Sequence, residues 1–214
     1  MIVVVTAGGP VAELPDFSEW PDAVFIGVDA GTIVLLDEGI RPAAAVGDFD
    51  SVTEDEMMRI EQLFPDLDRA ASEKDETDTE LALVKAMEFS PEQVIVTGVT
   101  GGRLDHYMSA LHGIYQVQQK FPATEFLLVN RQNRIRFLAP GVHRIQASEK
   151  YRYISFYPFA DRVEGFTLAN FKYEVDNEVI PFGSTRFISN ELKAEGIVSF
   201  AKGSCAVIES SDAG

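Results

Sequence analysis

Two carboxylates stand two residues apart in the segment G-D-F-D-S at residues 47–51, immediately after an apolar run at residues 43–46. In open α/β sheets, ligands bind just beyond the carboxyl ends of the strands. In an extended segment Asp48 and Asp50 would point to the same side. Mg²⁺ takes one or two carboxylates and keeps positions for phosphate oxygens. The pattern therefore favours a magnesium site, and the alternative is a pair of turn or cap residues before a helix at Thr53.

A second acidic segment, K-D-E-T-D at residues 74–78, opens a predicted helix. Acids at a helix N-terminus complement the helix dipole, which explains Asp78 as a structural residue. It explains Lys74 less well, because a base is unfavourable beside the positive end of a helix. A lysine beside acidic metal ligands suits phosphate binding as a point charge.

A glycine-rich segment, G-V-T-G-G-R-L-D-H at residues 98–106, lies between a predicted strand and a predicted helix. Glycines let the backbone approach a ligand closely, and a helix N-terminus offers free N–H groups to an anion. Arg103 could hold a phosphate with both arms of its guanidinium. The spacing is neither G-x-G-x-x-G nor that of the P-loop, so a structural turn stays open. His106 at a helix start is by itself more often structural than catalytic.

Two weaker segments, T-A-G-G-P at residues 6–10 and V-D-A-G at residues 28–31, also follow predicted strands. All five segments therefore lie at predicted carboxyl ends of strands or lead away from them, as a single site requires. The chain contains no H-E-x-x-H, Cys-x-x-Cys or G-x-S-x-G motif. Zinc chemistry and serine-hydrolase chemistry therefore lack support.

The elements that must position these segments alternate along the first part of the chain. Apolar runs without polar alternation predict strands covered on both faces, at residues 2–6, 23–28, 43–46, 94–97 and 126–129. Helices are predicted at residues 53–64 and 77–88, each opened by a Thr with Glu three residues later, and at 105–119 with Asp105 as the cap. This alternation predicts an open α/β domain with a mostly parallel sheet.

The pattern changes near Pro140, and no convincing amphipathic helix follows. Short β-branched or aromatic runs separated by Gly, Asn and Asp replace it, at residues 152–158, 165–168, 171–175, 186–189, 196–201 and 204–209. We therefore expect an α/β domain over residues 1–138 and an all-β sandwich over residues 139–214.

Composition narrows the function classes. The net charge is −16, and residues 29–80 hold 16 acidic against 4 basic side chains. Such a surface repels phosphate backbones, so no nucleic-acid partner is expected, and chemistry with metal cations or a cationic substrate is favoured. No apolar run approaches the ~20 residues that span a bilayer, so no membrane partner is expected. The single cysteine, Cys205, fits a reducing compartment, and we expect a cytoplasmic protein.

These motifs, in this order, resemble those of the thiamine pyrophosphokinases (thiamine diphosphokinases) of the bacterial type. The resemblance rests on D-A-G at 29–31, G-D-F-D-S at 47–51, K-D-E-T-D at 74–78, G-x-x-G-G-R-x-D-H at 98–106 and S-N-E at 189–191. It covers essentially the whole chain. Two departures are Ala30, where the family commonly has Gly, and the Phe187-Ile188 pair, where a smaller residue is common.

The resemblance implies transfer of a pyrophosphoryl group from ATP, the co-substrate, to the hydroxyethyl oxygen of thiamine, giving thiamine diphosphate and AMP. It implies an N-terminal α/β nucleotide-binding domain and a C-terminal β-sandwich. It also implies a homodimer whose active sites form between subunits.

The site residues that the resemblance implies fall into three groups. The catalytic residues are Asp48, Asp50, Lys74, Asp75 and Asp78. The ligands of Mg²⁺ among them are Asp48, Asp50 and Asp78. The residues at the nucleotide are Asp29, Gly31, Ser51, Thr77, Gly101, Arg103, Asp105 and His106. The residues that face thiamine are Ser189 and Asn190.

The charges of ATP and of the acidic segment determine which groups this reaction needs. Transfer of a phosphoryl-type group depends mostly on positioning and electrostatic stabilisation. In so acidic a segment ATP needs Mg²⁺ in order to bind, and Lys74 and Arg103 would neutralise the remaining charge. An aspartate near the thiamine hydroxyl could accept its proton, and Asp75 is the candidate. The cationic thiazolium of thiamine suits these acidic surroundings.

Two other functions stay open at this level. A pyrophosphokinase acting on a hydroxymethyl-pterin would use the same metal and nucleotide motifs, and residues 189–191, on the acceptor side, favour thiamine over it. A non-catalytic, nucleotide-binding regulatory module would explain the glycines and Arg103. It would not explain the surplus of carboxylates at strand ends.

Overall fold

The computed structural model describes residues 1–65 and 76–212. The chain divides into two compact units, Met1–Arg131 and Gln132–Gly214. The division falls before the change expected after residue 138. The reason is that the strand Asn133–Leu138 pairs along its whole length with the strand Cys205–Ser210 of the second unit.

The N-terminal unit is built on a five-stranded parallel sheet. Its strands are β1 (Ile2–Thr6), β2 (Val24–Val28), β3 (Ala44–Val46), β4 (Gln93–Thr97) and β5 (Glu125–Val129). They lie in the order β3-β2-β1-β4-β5, and all neighbours are parallel. Each strand agrees with its predicted run to within one residue at either end. Continuous apolar runs such as Val3, Val4 and Val5 are fully buried, as expected for strands covered on both faces.

Four α-helices accompany this sheet in the described residues. They are α1 (Ala30–Asp37), α2 (Glu54–Leu63), α3 (Asp78–Met87) and α4 (Leu104–Lys120). The predicted capping boxes at the starts of α2 and α3 are confirmed: Thr53 exchanges hydrogen bonds with Glu56, and Thr77 with Glu80. Within residues 1–65 and 76–212, no helix is both long and apolar enough to cross a membrane.

Two helices differ from the sequence prediction: α1 was not predicted, and α4 begins one residue before its predicted start. The apolar residues of α1 lie on all sides, and Ile33 and Leu35 are buried. The helix therefore lacks the amphipathic period by which a surface helix is recognised. α4 begins at Leu104, with Arg103 rather than Asp105 at the cap position and no side chain capping it. Asp105 lies in the first turn, where its charge complements the helix dipole.

The C-terminal unit is a sandwich of two antiparallel sheets. Its strands are β6 (Asn133–Leu138), β7 (Gly141–Gln146), β8 (Tyr153–Pro158), β9 (Arg162–Phe171), β10 (Val175–Pro181), β11 (Leu192–Phe200) and β12 (Cys205–Ser210). One sheet has the order β6-β12-β8 and the other has the order β10-β9-β11-β7. Phe156 and Val207 of the first sheet share a core with Phe166 and Val198 of the second. The core therefore lies between the sheets, and the predicted all-β sandwich is confirmed.

Strand bounds in this unit are harder to predict. The runs at 171–175 and 186–189 are not strands: the first contains the turn between β9 and β10, and the second is an irregular segment before β11. In the second run, Phe187 packs against Phe166 while Ile188 is exposed, so burial alternates between neighbouring side chains as it does in a strand. β6 and β7 have no counterpart among the predicted strands.

Candidate active site

A cavity of about 670 Å³ opens at the carboxyl end of the parallel sheet. All five segments singled out in the sequence contribute to it, since it is lined by residues that follow β1, β2, β3 and β4 and by the starts of α3 and α4. Its volume lies in the range of small-molecule sites. The predicted site residues that line it are Asp29, Asp48, Asp50, Ser51, Thr77, Asp78, Arg103 and His106.

Three aspartates converge in this cavity, and we call them the aspartate cluster. Asp29, Asp48 and Asp78 each offer a carboxylate oxygen, and these oxygens lie within 4.8 Å of one another. All three residues are partly buried. Mg²⁺ prefers oxygen ligands and binds through a small number of carboxylates together with phosphate oxygens. The residues present therefore fit the metal that the motifs imply.

Asp29 is held by the backbone of a neighbouring strand and loop. It follows β2, and its N–H donates to the carbonyl of Val46 at the end of β3 (3.0 Å). Its Oδ1 accepts the N–H of Phe49 (3.2 Å). Its φ of +47° is unusual for a residue other than glycine. A Cβ at Gly47 would collide with the Asp29 carboxylate, so the glycine leaves the space that this side chain occupies.

The D-x-D segment is not extended, and this alters the place of Asp50. Phe49 adopts a φ of +60° and buries its ring in a small apolar cluster with residues of α1 and α2. The alternation of an extended chain is broken at that residue, and the N–H of Asp50 donates to Oδ1 of Asp48 (3.1 Å). Asp50 lines the cavity, but the structure groups Asp29, not Asp50, with Asp48 and Asp78.

Sheet order is the signal by which Asp29 could have been found. Asp29 follows β2, Asp48 follows β3 after one residue, and these two strands are neighbours in the sheet. The residues just beyond two adjacent parallel strands must lie near one another. The family resemblance implied a place for Asp29 at the nucleotide, and the sequence motifs did not give the strand order that brings it beside Asp48.

Burial and neighbouring acids raise the pKa of Asp29 to about 6. Burial is the largest cause, the charges of Asp78, Asp48 and Asp50 add to it, and the hydrogen bond from Phe49 acts in the opposite direction. The charges acting on Asp29 are therefore those of other acids. A cation among these carboxylates would favour the ionised form of Asp29.

The start of α3 supplies the third aspartate. Asp78 is the first residue of the helix and Thr77 is its cap. The Thr77 hydroxyl accepts the N–H of Glu80 (3.3 Å) and donates to Oε2 of the same residue (3.2 Å). This predicted nucleotide residue therefore also fixes the helix start that carries Asp78. Lys74 and Asp75, predicted to be catalytic, lie outside the described residues.

Arg103 and Asp105 form an ion pair beside the cavity. Nε of Arg103 donates to Oδ1 of Asp105 (3.1 Å), and Nη2 donates to Oδ2 (2.5 Å). The hydrogen bonds from Arg103 lower the pKa of Asp105 to about 2. Both side chains are largely exposed, so solvent screens the pair. A phosphate that binds the Arg103 fork must therefore displace a carboxylate.

Gly31, Gly101 and Asp105 were predicted at the nucleotide, and none of them lines the cavity. Gly31 packs against the end of β1, where a Cβ would collide with the carbonyl of Thr6. Gly101 adopts a φ of +79°, which favours glycine. These residues shape the surrounding backbone, and Asp105 acts on the cavity through Arg103.

The two predicted thiamine residues lie in the C-terminal unit and differ in exposure. Ser189 is exposed, and its N–H donates to Oγ of Ser155 (3.0 Å). Asn190 is 4% exposed. Its Oδ1 accepts the N–H of Tyr173 (3.0 Å), and its Nδ2 donates to the Tyr173 carbonyl (2.8 Å). Asn190 therefore ties two chain segments together, and Ser189 is the exposed member of the pair.

A buried carboxylate of the same unit has basic neighbours. Glu209 is 3% exposed, and its oxygens accept from Nε and Nη2 of Arg134 (2.8 and 2.7 Å) and from Nη2 of Arg136 (3.1 Å). Glu209 and Arg134 stand opposite one another on β12 and β6. Such an arrangement serves the fold, because removing Glu209 would take a buried counter-charge away from both arginines.

Both halves of the chain match models of one family. Residues 18–125 match the thiamin pyrophosphokinase catalytic domain, and residues 142–205 match the thiamin pyrophosphokinase vitamin B1 binding domain. The thiamine pyrophosphokinase of Bacillus subtilis is 43% identical over 211 residues, which cover 97% of this chain and 98% of the relative. The chain belongs to the thiamine pyrophosphokinase family.

Solved structures of thiamine pyrophosphokinases agree with this membership. The crystal structure from Bacillus subtilis is similar with a TM-score of 0.93 at 42% identity, and each chain is covered to 100%. That from Geobacillus thermodenitrificans has a TM-score of 0.89 at 39% identity, covering 100% of this chain and 99% of the other. The family predicted from the motifs, its enzyme class and its fold are confirmed.

Proposed function

We propose that this protein transfers the pyrophosphoryl group of ATP to thiamine, giving thiamine diphosphate and AMP, with Mg²⁺ held in the aspartate cluster. The reaction is that of the family to which the chain belongs. Three carboxylate oxygens lie within 4.8 Å of one another beside a glycine-rich helix start, and this observation supports assigning the reaction to this cavity. Carboxylates suit Mg²⁺, and N–H groups at a helix start suit phosphate.

The residues of the cavity divide the work between metal and nucleotide. Asp29, Asp48 and Asp78 would hold Mg²⁺, which when bound neutralises phosphate charge and polarises the phosphoryl group. Arg103 leaves Asp105 and binds phosphate oxygens with both arms of its guanidinium. Asp50 adds its negative charge to the same cavity. Ser51, Thr77 and His106 line the wall against which the nucleotide lies.

Transfer proceeds by one exchange of bonds at the β-phosphorus. The hydroxyethyl oxygen of thiamine forms a bond to this phosphorus, and the bond from the phosphorus to the oxygen that bridges the α- and β-phosphates breaks. AMP leaves with that oxygen. The proton of the thiamine hydroxyl passes to a carboxylate, for which we propose Asp75, and we propose that Lys74 neutralises phosphate charge.

Thiamine is the acceptor that the C-terminal unit favours. Its residues 142–205 match a vitamin B1 binding domain. This match supports thiamine rather than a hydroxymethyl-pterin as the acceptor, and an enzyme rather than a regulatory module. We propose that Ser189 contacts the aminopyrimidine of thiamine and that Asn190 holds Ser189 in place. The single cysteine, Cys205, is buried, and a cytoplasmic location remains part of the proposal.

Release of AMP tests the reaction. With MgATP and thiamine, the protein should release AMP and thiamine diphosphate in equal amounts, and it should release neither product with MgATP alone. Replacing thiamine by a hydroxymethyl-pterin should give no AMP, and Asp48→Asn, prepared in the same way, controls for contaminating kinases. Transfer to the pterin in place of thiamine, or no transfer to either, would overturn the proposed function.

We further propose a homodimer in which residues 189–190 of one chain complete the cavity of the other. Complementation tests this arrangement. The assay uses Asp48→Asn chains together with Asn190→Ala chains, at a thiamine concentration where the Asn190→Ala chains alone are inactive. Mixing the two under subunit exchange should restore activity, because one of the two shared sites in each heterodimer is then intact. Heterodimers that form without regaining activity would place the whole site within one chain.

A further inference from the structure

A buried amide links two of the segments around the cavity. Asn130 directly follows β5 and is 4% exposed. Its Nδ2 donates to Oγ1 of Thr100 in the glycine-rich segment (3.0 Å) and to Oε2 of Glu13 in the segment after β1 (3.4 Å). These partners lie 30 and 117 positions from Asn130 along the chain. One side chain therefore bridges three strand ends of the sheet.

The two segments that Asn130 joins are already packed backbone to backbone. A Cβ at Gly9 would collide with the carbonyl of Gly98, and a Cβ at Gly98 would collide with the carbonyl of Ala7. The glycines permit this close approach but supply no directional contact to the middle of the segment at 98–102. Asn130 supplies such a contact at Thr100.

The hydrogen bond also determines what the Thr100 hydroxyl can offer to a ligand. Thr100 lines the cavity, whereas Asn130 does not. A hydroxyl has one donor proton and two acceptor positions, and Asn130 occupies an acceptor position of Thr100 Oγ1. The proton of Thr100 is therefore left to donate into the cavity. The oxygens of an ionised phosphate are acceptors, so this polarity suits ATP.

We propose that Asn130 is a positioning residue of the nucleotide site, which fastens the glycine-rich segment and presents the Thr100 hydroxyl as a donor to a phosphate oxygen of ATP. The proposal rests on the proposed function, because it takes the cavity as the ATP site. Asn130 acts through Thr100 and does not touch the nucleotide. None of the motifs contains Asn130, and Thr100 stands at an unspecified position of the G-x-x-G-G-R-x-D-H motif.

Calorimetric binding of MgATP without thiamine tests the proposal. Asn130→Ala should weaken binding about tenfold, the scale of one hydrogen bond to a charged group. Its KM for ATP should rise while its KM for thiamine stays unchanged. Thr100→Val should weaken MgATP binding by a similar factor. The double variant should bind no more weakly than Thr100→Val, and effects that multiply would show that Asn130 does not act through Thr100.

Asn130→Asp separates polarity from shape. The substitution keeps the size of the side chain, but a carboxylate accepts hydrogen bonds and would draw the Thr100 proton away from the cavity. Binding of MgATP should therefore be weaker in Asn130→Asp than in Asn130→Ala. Binding as tight as in Asn130→Ala, or tighter, would contradict the role assigned to the Thr100 hydroxyl.

Thr124→Val is the matched control. Thr124 is 7% exposed and precedes β5, and its Oγ1 donates to the carbonyl of Pro91 (2.9 Å), so it also joins two loops, at the other end of the strand. If the role of Asn130 were purely structural, Asn130→Ala and Thr124→Val would both lower Tm and leave MgATP binding unchanged. If Asn130 variants fail to fold, Thr100→Ser should still lose less affinity than Thr100→Val, because it keeps the hydroxyl. Equal losses would overturn the proposal.

The outcomes also distinguish this proposal from the proposed function. If Asp48→Asn loses MgATP binding while Asn130→Ala binds as wild type does, the role of Asn130 is wrong and the ATP site stands. If Asp48→Asn binds MgATP normally, or the wild-type protein does not bind it, the proposed function itself fails.

Discussion

The buried acid of the C-terminal unit and the partly buried acids of the N-terminal unit have opposite surroundings. In the C-terminal sandwich, Glu209 accepts three hydrogen bonds from Arg134 and Arg136. In the N-terminal unit, the three oxygens of the aspartate cluster lie within 4.8 Å of one another, and the charges that raise the pKa of Asp29 come from acids. An acid that the fold supplies with arginines needs nothing further. Acids that the fold brings against one another suit a cation from outside, and we propose that this difference marks the active site.

Removing a charge from the aspartate cluster should have the largest effect on catalysis. Asp48→Asn should lower kcat at least about 100-fold, the scale of losing one electrostatic stabiliser of the transition state. Steady-state release of AMP measures this. Asp37→Asn is the matched control, because Asp37 is exposed and pairs with Arg59 away from the cavity. Near-normal turnover in Asp48→Asn would show that the aspartate cluster does not serve catalysis.

The same substitution at Glu209 should affect the fold and not the chemistry. Glu209→Gln should lower the free energy of unfolding by about 2 kcal/mol, because it leaves two arginines without their buried counter-charge. Urea unfolding measures this, and kcat should stay at the wild-type value. Glu195→Gln, which breaks a more exposed pair with Arg144, should change stability by less than about 1 kcal/mol. A catalytic loss in Glu209→Gln without a stability loss would reverse the contrast.

Ser189 and Asn190 offer the same contrast between neighbouring residues. Ser189→Ala should raise the KM for thiamine about tenfold and leave stability and MgATP binding unchanged, since it removes one exposed hydroxyl. Asn190→Ala should also raise the KM for thiamine, but with a loss of about 1–3 kcal/mol in unfolding free energy, because the backbone groups of Tyr173 lose their buried partner. Thermal unfolding beside thiamine saturation curves separates the two. Similar stability losses in both variants would mean that exposure does not distinguish their roles.

Arg103 should give the smallest effect. Arg103→Lys keeps the charge and loses the planar fork, so it should weaken MgATP binding only a few-fold, because the group is exposed to solvent. Calorimetry with MgATP checks this. Unchanged affinity would indicate that Arg103 stays with Asp105 when ATP binds.

The α/β unit was largely predictable from its local patterns. Apolar runs bounded by Gly, Asp or Asn predicted the five buried strands, although the apolar run in α1 forms a helix, and the Thr-x-x-Glu pattern at Thr53 and Thr77 marks a helix start through its own hydrogen bonds. The aspartates at the strand ends then had to meet at one edge of the sheet. The sequence patterns therefore indicated the cavity and Asp48, and the family resemblance added Asp78 as a second member of the aspartate cluster.

What sequence could not supply depends on long-range contacts. Asp29 joins the cluster through the pairing of β2 with β3, and Asp50 stays outside it because Phe49 adopts a positive φ. Asn190 looks like an exposed turn residue until its amide is found against Tyr173. Asn130 follows a strand without any motif, and only the folded chain brings it to Thr100.

Stability with and without Mg²⁺ tests most directly the claim that the aspartate cluster is a metal site built from mutually repelling acids. In chelator, Asp48→Asn should unfold at the same urea concentration as wild type or a higher one, because the substitution removes repulsion. With millimolar Mg²⁺, wild type should gain stability through binding to the folded state, and the variant should gain much less, so the order reverses. If Asp48→Asn is the less stable protein in chelator, or if Mg²⁺ leaves the wild-type unfolding curve unchanged, the cluster is not the metal site.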